Sequence, residues 1–96
     1  KENHSFDTDK YPDTKIIPPV FIGDGVIIEG STIGPKVSIE AGSIIKNSAI
    51  VNSIIRESAE ISDTNTQGST IGAFANVSKV TGTIDIGDHS SVQMDS

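Results

Sequence analysis

The sequence predicts an all-β chain wound as a single-stranded, left-handed parallel β-helix of the hexapeptide-repeat class, with about four to five coils. Three observations predict it. The first is the alphabet: sixteen Ile and seven Val but no Leu, beside thirteen Ser, eight Thr and nine Gly in 96 residues. β-branched side chains are stiff at χ1 and favour strands, while a helical domain would draw on leucine. The second is a beat of large aliphatics at Ile22, Ile28, Ile33, Ile39, Ile45, Ile50, Ile55, Ile61, Ile71, Val77, Ile86 and Val92. Its steps of five and six residues fit neither a helix face nor a lone strand. The third is the residue two places before each of these, which is Ser, Ala or Val at eleven of the twelve positions. In a strand, residues two apart point the same way. A large and a small inward residue per step suit a narrow triangular prism, in which three short strands make a coil of roughly 18 residues. No coil buries its aliphatics alone, and stacking makes them one column. The left hand is that of the repeat class and runs against the usual crossover preference.

The elements follow in order. Residues 1–15, KENHSFDTDKYPDTK, are polar and irregular and read as a linker or edge segment. The β-helix domain spans 16–96, and Ile16-Ile17-Pro18-Pro19 opens its first strand. Steps then end at Ile22, Ile28, Ile33 and Ile39, separated by Asp24-Gly25, Glu29-Gly30 and Gly34-Pro35-Lys36, all turn chemistry. The stretch SIIKNSAIVNSII tightens the beat to five. There Asn47 and Asn52 are expected at corners in the left-handed region, which Asn tolerates well. The longer gaps after Ile61 and Val77 predict loops at Ser62–Ser69 and Ser78–Ile84. If each buried Ile or Val contributes ~1.5–3 kcal/mol, the series can hold a domain of this size together.

The residue before each aliphatic faces outward. Taken in threes, these gather Ile27, Ile44, Glu60 and Asp85 on one face and Phe21, Ser38, Ile54 and Asn76 on another. The apolar members Phe21, Ile27, Ile44 and Ile54, with the 1–15 segment, are the candidate contact surface.

A formal charge of −6 without a Lys/Arg cluster gives no means of neutralising phosphates, so no nucleic-acid partner is expected. Absence of cysteine suits the cytoplasm, and no apolar run reaches membrane-spanning length. A chain beginning at Lys1 is expected to be a piece of a longer polypeptide.

Chemistry is sparse. The two histidines, His4 and His89, cannot make a three-His zinc site in one chain. No Walker A, Rossmann or nucleophile-elbow motif occurs, and no metal or cofactor is expected to bind this chain. Hexapeptide acyltransferases use one His as general base between neighbouring subunits. His89, in IGDHSS, is the catalytic candidate for that alternative, against a structural reading as an exposed turn residue.

The run IIPPVFIGDGVIIEGSTIGPKVSIEAGSIIKNSAIVNSIIRESAEI, with QGSTIGAFANV and a closing IDIGDHSSV, resembles the C-terminal β-helix domain of sugar-phosphate nucleotidyltransferases. The nearest likeness is to glucose-1-phosphate thymidylyltransferase-like and related NDP-sugar pyrophosphorylases, over about residues 16–93. In that family a separate N-terminal domain uses Mg²⁺ to join a sugar 1-phosphate to a nucleoside triphosphate. The resemblance therefore implies that this segment is the accessory module, with the catalytic domain and further copies of itself as partners. It carries over no catalytic residue. The remaining alternative is a stand-alone scaffold or interaction module.

Overall fold

A computed structural model describes Tyr11 and residues 13–93, and every strand in it is parallel. The first turn comprises β1 (Lys15–Ile16), β2 (Val20–Ile22) and β3 (Ile27–Glu29). The next two comprise β4 (Thr32–Ile33), β5 (Val37–Ile39) and β6 (Ile44–Lys46), then β7 (Ala49–Val51), β8 (Ile54–Ile55) and β9 (Glu60–Ser62). After these come β10 (Asn65–Gln67), β11 (Thr70–Ile71) and β12 (Asn76–Ser78), and finally β13 (Asp85–Ile86) and β14 (Ser91–Gln93). Strands three apart, or two apart where β11 meets β13 and β12 meets β14, pair into three sheets, ordered β1-β4-β7-β10, β13-β11-β8-β5-β2 and β14-β12-β9-β6-β3. The result is a parallel β-solenoid of about five turns, with no helix among the described residues.

The turns are shorter than the repeat class suggests. Phe21, Ser38, Ile54, Thr70 and Asp85 stand in register 17, 16, 16 and 15 residues apart. The shortening falls at the corners, where one residue takes a positive φ. Asn47 and Asn52 do so at 51° each, as their chemistry predicts. Inside, Ile28, Ile33, Ile39, Ile45, Ile50, Ile55, Ile61 and Ile71 are fully buried and form the aliphatic columns.

The serine beat has a second cause besides size. Ser31, Ser48 and Thr64 each follow a left-handed corner residue (Gly30, Asn47, Asp63) and are buried. Each hydroxyl donates to the carbonyl two residues back, at 2.8 Å from Ser31 to Glu29, from Ser48 to Lys46 and from Thr64 to Ser62. Each also accepts the backbone N–H one turn on: Ser48 N–H on Ser31 Oγ (3.1 Å), Thr64 on Ser48 (3.2 Å) and Val80 on Thr64 (3.4 Å). Ser53 and Ser69 form a parallel ladder, with Ser69 N–H on Ser53 Oγ at 3.0 Å and Ile84 N–H on Ser69 Oγ at 2.9 Å. The tightened corner turns these N–H groups away from a carbonyl, and the hydroxyl satisfies them. Ser58 breaks the pattern: it is itself the corner residue, at φ 55°, and Ala59 fills the inward place. Ser48→Ala would leave the buried Thr64 N–H unpaired, while the Lys46 carbonyl keeps the Asp63 N–H, so we expect a loss of about 1–3 kcal/mol in urea unfolding. Ser48→Thr, which keeps the hydroxyl as Thr64 does, should cost less than half as much.

The two expected loops are instead further rungs of the first sheet. Residues 62–69 hold the Asp63 corner and β10, and Thr66 points inward in the place that the other rungs give to an aliphatic. Its hydroxyl donates to the Gly82 carbonyl at 2.6 Å and contacts the Ser69 hydroxyl, so the core accepts it. Residues 78–84 turn at Lys79, bury Val80 and bridge Thr81 to Asn65. The first unread rung displaces Asn76 by one face, and both together displace Asp85 by two. The outer column of Ile27, Ile44 and Glu60 continues through Asn76 to Ser91, and that of Phe21, Ser38 and Ile54 through Thr70 to Asp85. Asn76 and Asp85 thus exchange the faces expected for them.

At the N-terminal end, Lys15 already belongs to β1, and Tyr11 is 5% exposed within the core cluster. The rest of the segment before Asp13 lies outside the described residues. At the other end Ile84, Ile86 and Val92 are only partly covered.

Candidate functional site

Two pairs of outward apolar side chains lie on the early turns. Phe21 on β2 and Ile54 on β8 stand either side of Ser38 on β5 and are 60% and 47% exposed. With Pro19 and Lys36 they line an open groove of about 380 Å³. Ile27 on β3 is 46% exposed and stands in register with the half-buried Ile44 on β6. Their position follows from strand parity, because the neighbours Ile22, Ile28, Ile45 and Ile55 turn inward. The four candidate contact residues thus form two stripes, on two sheets that meet at the corner between β2 and β3. They do not merge into one face.

His89 lies in the turn between β13 and β14 at φ 62° and is exposed. Its ring is stacked on that of Phe74, with centroids 5.2 Å apart and planes 3° from parallel. The carboxylate of the preceding Asp88 accepts the Ala73 N–H at 2.8 Å. These contacts tie the last turn to the one before it.

Phe74 is the residue the sequence reading missed. It occupies the positive-φ place of its corner, at 60°, in a column formed by Gly25, Gly42, Ser58, Phe74 and His89. Counting on from the two glycines by the length of a turn would have found both rings. On the same side of the rod, Arg56 and Glu40 approach to 3.5 Å with both side chains well exposed, a pair worth ~0–1 kcal/mol.

Among the described residues, no group of three or more His, Cys, Asp or Glu is placed to hold a metal ion. No helix among them is long and apolar enough to cross a membrane. No protein-family model matches the chain, and neither does any curated protein.

Proposed function

We propose that this β-helix is the accessory, non-catalytic module of a sugar-1-phosphate nucleotidyltransferase of the cytoplasm, rigid enough to position a catalytic domain or further copies of itself. The observation that carries the reading is the exposed apolar set Phe21, Ile27 and Ile54 on the early turns, outside a core that is already filled. Side chains of this size left half in water over a complete core mark a surface that another body covers. The resemblance of residues 16–93 to the C-terminal domain of NDP-sugar pyrophosphorylases supports the choice of that body. In this reading Mg²⁺ and the nucleoside triphosphate bind to the catalytic domain, and the module supplies packing, oligomerisation or regulation.

The test is to isolate the native polypeptide carrying this segment, with an antibody raised against it, and to assay pyrophosphate release from nucleoside triphosphates and sugar 1-phosphates with Mg²⁺. A polypeptide several times heavier than 10.0 kDa that releases pyrophosphate is the expected result. A band at the segment's own mass, without that activity, would sink the reading. On the surface itself, Phe21→Ser with Ile54→Ser should change the stability of the isolated β-helix by less than about 1 kcal/mol, since both side chains are exposed. The same pair should weaken its association with the catalytic domain at least about tenfold in sedimentation equilibrium. An unchanged association constant would exclude this groove as the contact.

A further inference from the structure

Phe74 is costly where it stands. A bulky L-residue in the left-handed region is a conformational outlier, and such strain persists where the surroundings or a function hold it. Two earlier turns place glycine at this position, Gly25 and Gly42, yet here a ring is held 50% exposed and adds nothing to the aliphatic core. His89 covers one of its faces. On the other side the column offers Ser58 and then Gly42, neither of which carries a ring to cover the second face.

The charged residues beside the ring on the two adjacent turns are acidic, and the nearby cation Arg56 is paired with Glu40. Phe74 N–H donates to the Glu57 carbonyl at 3.0 Å, so Glu57 is its neighbour on the preceding turn, and Asp88 flanks it on the following one. Both residues are exposed. The ion pair found among the described residues, Arg56 with Glu40, engages neither carboxylate.

From this geometry we infer a second interaction site: the Phe74–His89 stack, flanked by Glu57 and Asp88, docks an arginine side chain of a basic partner segment. Arginine fits better than lysine because its planar guanidinium lies flat on a ring face while its fork reaches a neighbouring carboxylate. It fits better than a neutral ring because the flanking charges are negative. The site is separate from the apolar stripes of the early turns, so it stands or falls independently of them.

The test is an NMR titration of the full chain with acetyl-Gly-Arg-Gly-amide and with its lysine and citrulline counterparts. Saturable shifts centred on the Phe74 and His89 rings are expected, with the arginine peptide binding at least about fivefold more tightly than either counterpart. Phe74→Gly restores the residue this corner uses elsewhere and should abolish those shifts while the remaining amide spectrum stays native. Glu57→Gln, at an exposed position, should weaken binding about threefold and decides the matter should the Phe74 variant lose its fold. Equal affinity for the three peptides, shifts that survive Phe74→Gly, or full affinity in Glu57→Gln would each overturn the assignment.

Discussion

Gly72→Ala is expected to cost about 3 kcal/mol or more, whereas Gly87→Ala, one turn further on in the same column, should be close to neutral. Neither glycine has a positive φ, so backbone freedom does not separate them. Space does. A Cβ on Gly72 would fall well inside contact distance of the Gly87 carbonyl carbon and the Asp88 nitrogen, which are backbone atoms without a flexible end to yield. A Cβ on Gly87 would meet nothing within 4 Å. Overpacking costs ~1–3 kcal/mol where side chains can adjust, and backbone against backbone belongs at or beyond the top of that range. For a domain of this size the melting temperature should fall on the order of 10–20 °C. The strain also has an outlet, because turns of a solenoid couple chiefly to their neighbours. Lifting the β13–β14 turn would relieve it, at the cost of the Gly72 N–H bond to Ile86, the Asn76 N–H bond to Ser90 and the His89 N–H bond to Ala73. Hydrogen exchange should therefore accelerate at Gly72, Asn76 and His89 before the earlier turns respond. A Gly72→Ala protein with native melting and exchange would show that the two corners do not approach as closely as described.

This pair of glycines also shows where reading the sequence runs out. Gly23, Gly34, Gly72 and Gly87 were legible as punctuation after an aliphatic, but the physical reason differs among them. Gly34 combines a positive φ with the Ile17 carbonyl of the preceding turn close by, Gly23 and Gly72 are hemmed in by the backbone of the next turn without a positive φ, and Gly87 has neither constraint. Contact between residues 15 to 17 apart is invisible until the length of each turn is known. The aliphatic columns and Asn47 and Asn52 were legible because isoleucine parity and asparagine's tolerance of the left-handed region are local properties. Thr66 was not, because a buried threonine reads as a loop until its partners, the Gly82 carbonyl and the Ser69 hydroxyl, are in place. Missing that rung and the one at Val80–Thr81 moved Asn76 and Asp85 onto each other's faces. The hydroxyl ladders were half legible: size explained why serine is small, and only the corner geometry explains why it is so often serine rather than alanine. Of the candidate site, the outward apolar residues followed from parity alone. The stacked rings needed the corner column, since Phe and His carry no signature of positive φ.

Ile45→Ala should destabilise the whole rod by about 2–5 kcal/mol, while Ile44→Ala, its immediate neighbour, should cost under about 1 kcal/mol. Ile45 is fully buried between Ile28 and Ile61 in the column of β3, β6 and β9. Its truncation leaves a cavity that stiff β-branched neighbours on regular strands collapse into poorly. Ile44 turns outward onto Ile27 and Glu60, and its loss removes a surface contact. Position along the rod matters as much as burial. Strain at the last turn can escape by fraying, but a defect at β6 has turns on both sides, and opening there would separate the Tyr11 end from the turns beyond β9. The short piece on the Tyr11 side could not keep its aliphatics covered alone, so unfolding should remain cooperative, with the urea midpoint lowered and the slope unchanged. Equal losses for the two variants would be incompatible with this register, because a slip of one residue turns every side chain of a strand to the other side. The contrast also ties the fold to the proposed function. Ile44→Ala should weaken association with the partner body while leaving the isolated β-helix nearly intact, whereas Ile45→Ala should impair association only in proportion to the unfolded fraction. Measuring midpoint and association constant for both proteins separates a residue that holds the scaffold together from one that the scaffold presents.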